Sequence, residues 1–130
     1  MKQILFVCIE NSNRSQMAQA FAKMYGEGKV VAYSAGSKPS GTVNPKAIDF
    51  MKEIGFDLTT HKSKSLEEIP DILFDYVVTM GCGDACPLVR AAHRIDWNIP
   101  DPRDMNGDAF RDVRDMIGSK VYELINDDIA

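Results

Sequence analysis

No segment of this 130-residue chain is apolar for long enough to cross a bilayer as a helix, so a helical membrane protein is not expected. An excess of positive charge is also missing. Fifteen Lys and Arg face 19 Asp and Glu, a formal net charge of −4, which argues against a nucleic acid or an anionic membrane surface as partner. Cysteine is scarce and odd in number: three do not make a structural disulfide framework, and in a reducing compartment they are expected to be free, metal-bound or redox-active. The apolar run that follows Met1-Lys2-Gln3 is too short for a secretory signal, so a cytoplasmic location is expected. Repeats, low-complexity tracts and linkers are lacking, so a single domain over residues 1–130, acting as a monomer, is expected.

What is present is ordinary globular composition, 45% hydrophobic and 26% charged, with enough length to bury a core without staples. Strand-like and helix-like segments alternate. Residues 3–7 read as a buried strand, and residues 14–25 as a helix with Met17, Ala20, Phe21 and Met24 on one face. A second strand covers 30–34. Asn44-Pro45 caps a helix that runs to about residue 54 and stops at Gly55. A short helix over 66–69, strands at 76–79 and 94–97, and a terminal helix over 108–126 complete the pattern. This alternation predicts an α/β fold: a four-stranded parallel sheet flanked by helices on both faces, flavodoxin-like. Ligands of such sheets sit beyond the carboxyl ends of the strands, where Cys8, Ser34, residues 80–86 and residues 100–102 can converge.

The segment Cys8-Ile9-Glu10-Asn11-Ser12-Asn13-Arg14-Ser15 joins the first strand to the first helix. A tight loop there aims backbone N–H groups and a helix N-terminus at one point, which binds an anion. The same field stabilises a thiolate, and Arg14 adds a fork matched to a tetrahedral oxyanion. Ser15, in the first helical turn, can donate its hydroxyl to the Cys8 sulfur. The loop has no glycine, so Asn11 is the best candidate for a residue at positive φ. The bland alternative is a buried structural cysteine before a helix cap.

Gly81-Cys82-Gly83-Asp84-Ala85-Cys86-Pro87 is a second cluster, with two cysteines four positions apart among residues that favour distortion. A redox pair, core packing, or a zinc site completed by His93 are the three readings; an obvious second ligand pair for zinc is missing, so no metal is expected. Asp101, held between Pro100 and Pro102, is a candidate proton donor for a leaving oxygen, against the plainer reading of a turn aspartate. His61 reads as a hydrogen-bonding structural histidine, His93 as a surface residue and Trp97 as core.

These residues together resemble the low-molecular-weight protein tyrosine phosphatase superfamily: Cys8, five residues, Arg14-Ser15 after a first strand, and Asp101-Pro102 late in the chain. Arg14-Ser15-Gln16-Met17-Ala18, Ser34-Ala35-Gly36, His61-Lys62-Ser63-Lys64-Ser65-Leu66 and Thr79-Met80-Gly81-Cys82-Gly83-Asp84 with Cys86-Pro87 look like the arsenate reductases of that superfamily, along nearly the whole chain. The resemblance implies that Cys8 attacks arsenate with help from Arg14 and the amides of residues 9–15. Cys82 then attacks Cys8 and arsenite leaves. Cys86 attacks Cys82, and an external thiol protein, thioredoxin or else glutaredoxin, reduces the resulting pair. Asp101 is the implied proton donor, and no bound cofactor is implied. Departures from the common pattern are the short spacing of Cys82 and Cys86, the carboxylate of Glu10 in an anion loop, which should point outward, and Gln19 in place of an acidic residue that supports a potassium site in some members. Two other functions compete: a phosphotyrosine phosphatase, which needs Cys8, Arg14 and Asp101 but not the later cysteines, and a non-enzymatic thiol sensor of arsenite or metal, which leaves the Cys8-to-Arg14 spacing unexplained.

Overall fold

Strict alternation of side chains along a parallel strand puts Ile4, Phe6 and Cys8 on one face of β1 (Lys2–Cys8) and Leu5 and Val7 on the other, and all five are buried. β1 is therefore an inner strand. In the computed structural model, which describes residues 1–81 and 89–129, it pairs in parallel with β2 (Val30–Gly36) and with β3 (Phe74–Thr79), and β3 pairs with β4 (Ala91–Asp96). The sheet order is β2-β1-β3-β4, wholly parallel, as the alternating pattern predicts. Each strand is two residues longer than expected; β4 begins three residues before the expected 94 and ends one before 97, and its exposed His93 lacks the apolar signal that marks a buried strand.

α1 (Arg14–Tyr25) has the predicted bounds. Its Met17, Ala20 and Phe21 are buried, whereas Met24, expected on the same face, is 36% exposed near the end of the helix. α2 (Pro45–Lys52) starts where Asn44 Oδ1 accepts the Lys46 N–H at 3.0 Å, and ends short of residue 54. α3 (Gly107–Glu123) is capped by Asn106, which accepts from Ala109 N at 3.0 Å, and continues as a π turn, Leu124–Ile129. Val113, Ile117, Val121 and Leu124 form its buried stripe as the spacing predicts.

The core divides at the sheet. One side joins Ile4, Phe6, Val78 and Met80 to buried residues of α1, α2 and α3, with Trp97 tilted against Phe6 at 6.0 Å between ring centres. The opposite side packs Leu5, Val7, Ala35, Phe74 and Val77 against Leu66, Ile69 and Ile72, which belong to or follow the 3-10 turn Leu66–Glu68. The helix predicted over 66–69 is thus one turn of 3-10 geometry, whose ends Ser65 and Glu68 tie through a capping box. Cys82 and Cys86 lie outside the described residues.

Candidate active site

The loop between β1 and α1 is shaped by bonds on its outer side. Ser37 N, Lys38 N, Ser40 N and Asn44 N donate to the carbonyls of Cys8, Ile9, Glu10 and Ser12 at 2.8–3.3 Å. Among the described residues, none of the loop N–H groups from Glu10 to Asn13 has a backbone acceptor. The carbonyls are spent outward, and the amides remain for the concave side. Gly36 permits this close approach: a Cβ there would stand 2.6 Å from Ile9 O and 2.9 Å from Asn11 N. Asn11 takes φ of +50°, the turn that the glycine-free loop requires.

Cys8 closes β1 with 2% of its surface exposed and is a free thiol. Its Sγ lies 2.8 Å from Ser15 Oγ. Asn11 Nδ2 donates to that same oxygen at 2.8 Å, which leaves the Ser15 hydroxyl proton to point at the sulfur. Asn11 is in turn held by Gln16 Nε2 and by Lys64 N, both donating to Oδ1 at 2.8 Å. Gln16 Nε2 also donates to Asn11 O and Lys62 O, so its amide orientation is determined and Oε1 faces His61 Nδ1 at 2.8 Å. An acceptor at that position puts the ring proton on Nδ1, and Nε2 accepts from Lys23 Nζ at 2.9 Å. His61 is accordingly neutral: burial first, then the Lys23 and Lys64 cations, lower its pKa to about 4. Burial also lowers that of Lys23. A continuous chain of hydrogen bonds therefore runs from Lys23 through His61, Gln16, Asn11 and Ser15 to the sulfur.

Cys8, Ile9, Glu10, Ser12, Asn13 and Arg14 line a cleft of about 150 Å³ together with Asp101 and Arg103. Arg14 is 7% exposed and donates from Nη1 to Ile99 O at 3.1 Å, which anchors the fork behind the loop. Asp101 is exposed at the rim, where the Arg103 N–H donates to its Oδ1 at 3.1 Å. Glu10 is expected to point outward. It lines the cleft, and both its oxygens lie 3.0 Å from Arg103 Nη1. Ser34, expected among the converging strand ends, is buried within the sheet and donates to Gln19 Oε1 at 2.6 Å. His93 stacks on Tyr76 on the exposed strand; the zinc and redox readings of Cys82 and Cys86 lie outside the described residues.

Two participants escaped the sequence reading. Gln16 sits within Arg14-Ser15-Gln16-Met17-Ala18 but carries no chemical signal of its own, since its role depends on meeting residue 61. Arg103 adjoins the proline-bound aspartate and could have been suspected only from the need to neutralise Glu10.

Three comparisons bear on this geometry. Residues 3–129 match the family model described as low molecular weight phosphotyrosine protein phosphatase. The chain is 38% identical over 128 residues to a glutaredoxin arsenate reductase of Synechocystis sp., covering 96% of this chain and 97% of that one. It superposes with a TM-score of 0.89 and 36% identity on a solved arsenate reductase in the phosphate-binding state, covering all of both chains. A thioredoxin-dependent arsenate reductase from Corynebacterium glutamicum superposes with a TM-score of 0.77 and 31% identity over 95% of this chain and 60% of that one.

Proposed function

The chain belongs to the low molecular weight phosphotyrosine protein phosphatase family, and we propose that it reduces arsenate to arsenite by a relay through Cys8, Cys82 and Cys86. The observation that carries the reading is the Cys8 sulfur, 2.8 Å from a hydroxyl that can donate to it, in a residue that lines one cleft with Arg14 and Asp101.

In the first step the Cys8 thiolate attacks arsenic. One oxygen leaves as water, with Asp101 as the proton donor and Arg14 and the loop amides holding the remaining oxygens. Ser15 supports the thiolate, and the bonds of Asn11 hold the loop in shape. In the second step the Cys82 thiolate attacks Cys8. The sulfur–arsenic electron pair passes to arsenic, which leaves as arsenite, and a Cys8–Cys82 disulfide remains. Cys86 then attacks Cys82 and releases Cys8 as a thiolate. An external dithiol protein reduces the Cys82–Cys86 disulfide and supplies the two electrons of each turnover. We take thioredoxin as that donor, with glutaredoxin and glutathione as the competing system. Relatives named for both support a thiol donor without separating the two.

Arsenate-dependent oxidation of thioredoxin, measured for the unaltered chain and for Cys8→Ser, Cys82→Ser and Cys86→Ser, tests the relay. No variant should turn over, and Cys86→Ser should release one arsenite per molecule. Normal turnover by Cys86→Ser refutes the relay. Rapid hydrolysis of p-nitrophenyl phosphate with arsenate untouched makes the chain a phosphatase instead. A parallel assay with glutaredoxin and glutathione identifies the donor.

A further inference from the structure

A carboxylate in an oxyanion loop opposes anion binding, and Glu10 is such a carboxylate. Its partner is on the far side of the cleft. Arg103 follows Asp101 by two residues, and its Nη1 lies 3.0 Å from each Glu10 oxygen. The pair therefore joins the two segments that line the cleft, 93 positions apart in sequence.

Both ends of this bridge are fixed by their own backbones. Glu10 O accepts from Ser63 Oγ at 2.9 Å and from Ser40 N at 3.1 Å. Arg103 N donates to Asp101 Oδ1, and Arg103 O accepts from Lys46 Nζ at 3.2 Å, the same ammonium that bonds Met105 O at 3.2 Å. The side chains are thus delivered to each other by anchored main chain. The pair is half exposed, at 54% and 35% of the two side chains, and exposed ion pairs add little to stability. Its placement has a different consequence. A tetrahedral oxyanion presents only oxygens and fits within a cleft of about 150 Å³. An ester of that anion must carry its substituent out past the residues that line the cleft, Glu10 and Arg103 among them.

We propose that Glu10 and Arg103 form a strap across the oxyanion cleft that admits bare inorganic oxyanions and excludes those bearing an aryl substituent. This makes the pair a specificity determinant, and it rests on the oxyanion-site reading of Cys8 and Arg14. Glu10 is kept in an anion loop, at a cost in field, because it holds the arginine in place. Negative selection of this kind works by obstructing the competitor rather than by improving the substrate's contacts.

Calorimetric titration of the reduced full chain with inorganic phosphate and with phenylphosphonate, which cannot be hydrolysed, reads the filter directly. The unaltered chain should bind phosphate at least about tenfold more tightly than phenylphosphonate, a difference of about 1.4 kcal/mol. Arg103→Ala and Glu10→Gln should each bring that ratio close to one, and the exchange Glu10→Arg with Arg103→Glu should restore it. A pure field effect behaves differently: the two single variants alter charge in opposite senses, so both anions would weaken in Arg103→Ala and tighten in Glu10→Gln at constant ratio. A constant ratio, or a ratio near one in the unaltered chain, overturns the strap while leaving the oxyanion site standing. Failure of phosphate itself to bind the unaltered chain overturns both.

Discussion

Asn11 is the residue on which the oxyanion loop turns, and substituting it by alanine and by glycine separates its two contributions. Its side chain takes part in three hydrogen bonds, two buried, to Ser15 Oγ and from Gln16 Nε2, and one partly buried, from Lys64 N. At about 1 kcal/mol of net stability each, their loss costs about 3 kcal/mol in either variant. The backbone contribution differs. At φ of +50° a residue with a Cβ sits in the left-handed region, which costs about 1–2 kcal/mol for alanine and nothing for glycine. Glycine gives back about 0.5–1 kcal/mol through its freer unfolded chain. Asn11→Ala should therefore lose about 4–5 kcal/mol and Asn11→Gly about 3.5–4 kcal/mol, so the smaller residue is the less damaging. Urea unfolding at neutral pH, followed by far-UV circular dichroism, reports both as shifts of midpoint at constant slope. Equal midpoints would refute the argument from backbone strain. Losses below about 1 kcal/mol in both variants would refute the argument that the side-chain network stabilises the loop.

Ser15→Ala removes the hydroxyl beside the sulfur; a charge-assisted bond of about 1.5–3 kcal/mol predicts about a tenfold to hundredfold slower first release of arsenite, measured by quench-flow in Cys86→Ser, with phosphate affinity within about twofold. Stability should fall as pH drops from 6.5 towards 4. Over that range the unfolded chain protonates His61 while the folded chain, with its pKa near 4, does not. The loss should level off below 4 and, discounted for solvent screening at a half-buried ring, total about 1–2 kcal/mol, and a His61→Gln variant should lack that component of the pH dependence. Gly118→Ala places a Cβ 2.8 Å from Phe21 Cε1 and 2.9 Å from Cζ, so the ring must shift; a loss of about 1–3 kcal/mol should appear in thermal melts, and an unchanged Tm would contradict the packing.

The parts of this molecule legible in its sequence are those whose signal is local. α1 begins and ends where its apolar spacing and Arg14-Ser15 place it, and Asn44-Pro45 marks the start of α2. Asn11 is identifiable because a loop without glycine must turn on its most tolerant residue. Cys8, Arg14 and Asp101 reach one cleft because a parallel sheet collects its strand ends. What stayed hidden depends on partners distant in sequence. Gln16 matters because residues 11, 61 and 62 surround its amide. Arg103 matters because Glu10 faces it. Ser34 was misplaced because a polar residue at a strand end looks like a site residue until Gln19 is seen to satisfy it inside the sheet. Helical periodicity likewise put Met24 in the core, although it lies in the last turn of α1, beyond buried Ala22.

Gly81 ties the position preceding Cys82 to the oxyanion clamp. It follows β3 and Met80 with φ of +79°, and a Cβ there would overlap the Arg14 guanidinium and lie 3.3 Å from Ile99 O, the carbonyl that Arg14 Nη1 bonds. The arginine is therefore held between a carbonyl from the β4–α3 connection and bare backbone beyond β3, and only glycine leaves room for it. Gly81→Ala brings two penalties that can be measured apart. Left-handed backbone with a Cβ costs about 1–2 kcal/mol of stability. Displacement of the guanidinium removes a charge-assisted bond to the bound anion, about 1.5–3 kcal/mol, which predicts about a tenfold to hundredfold weaker phosphate affinity. If phosphate binds unchanged while the midpoint of urea unfolding drops, Gly81 serves the turn alone. If both change, backbone at the threshold of the second cysteine also sets the geometry in which the first one captures its substrate.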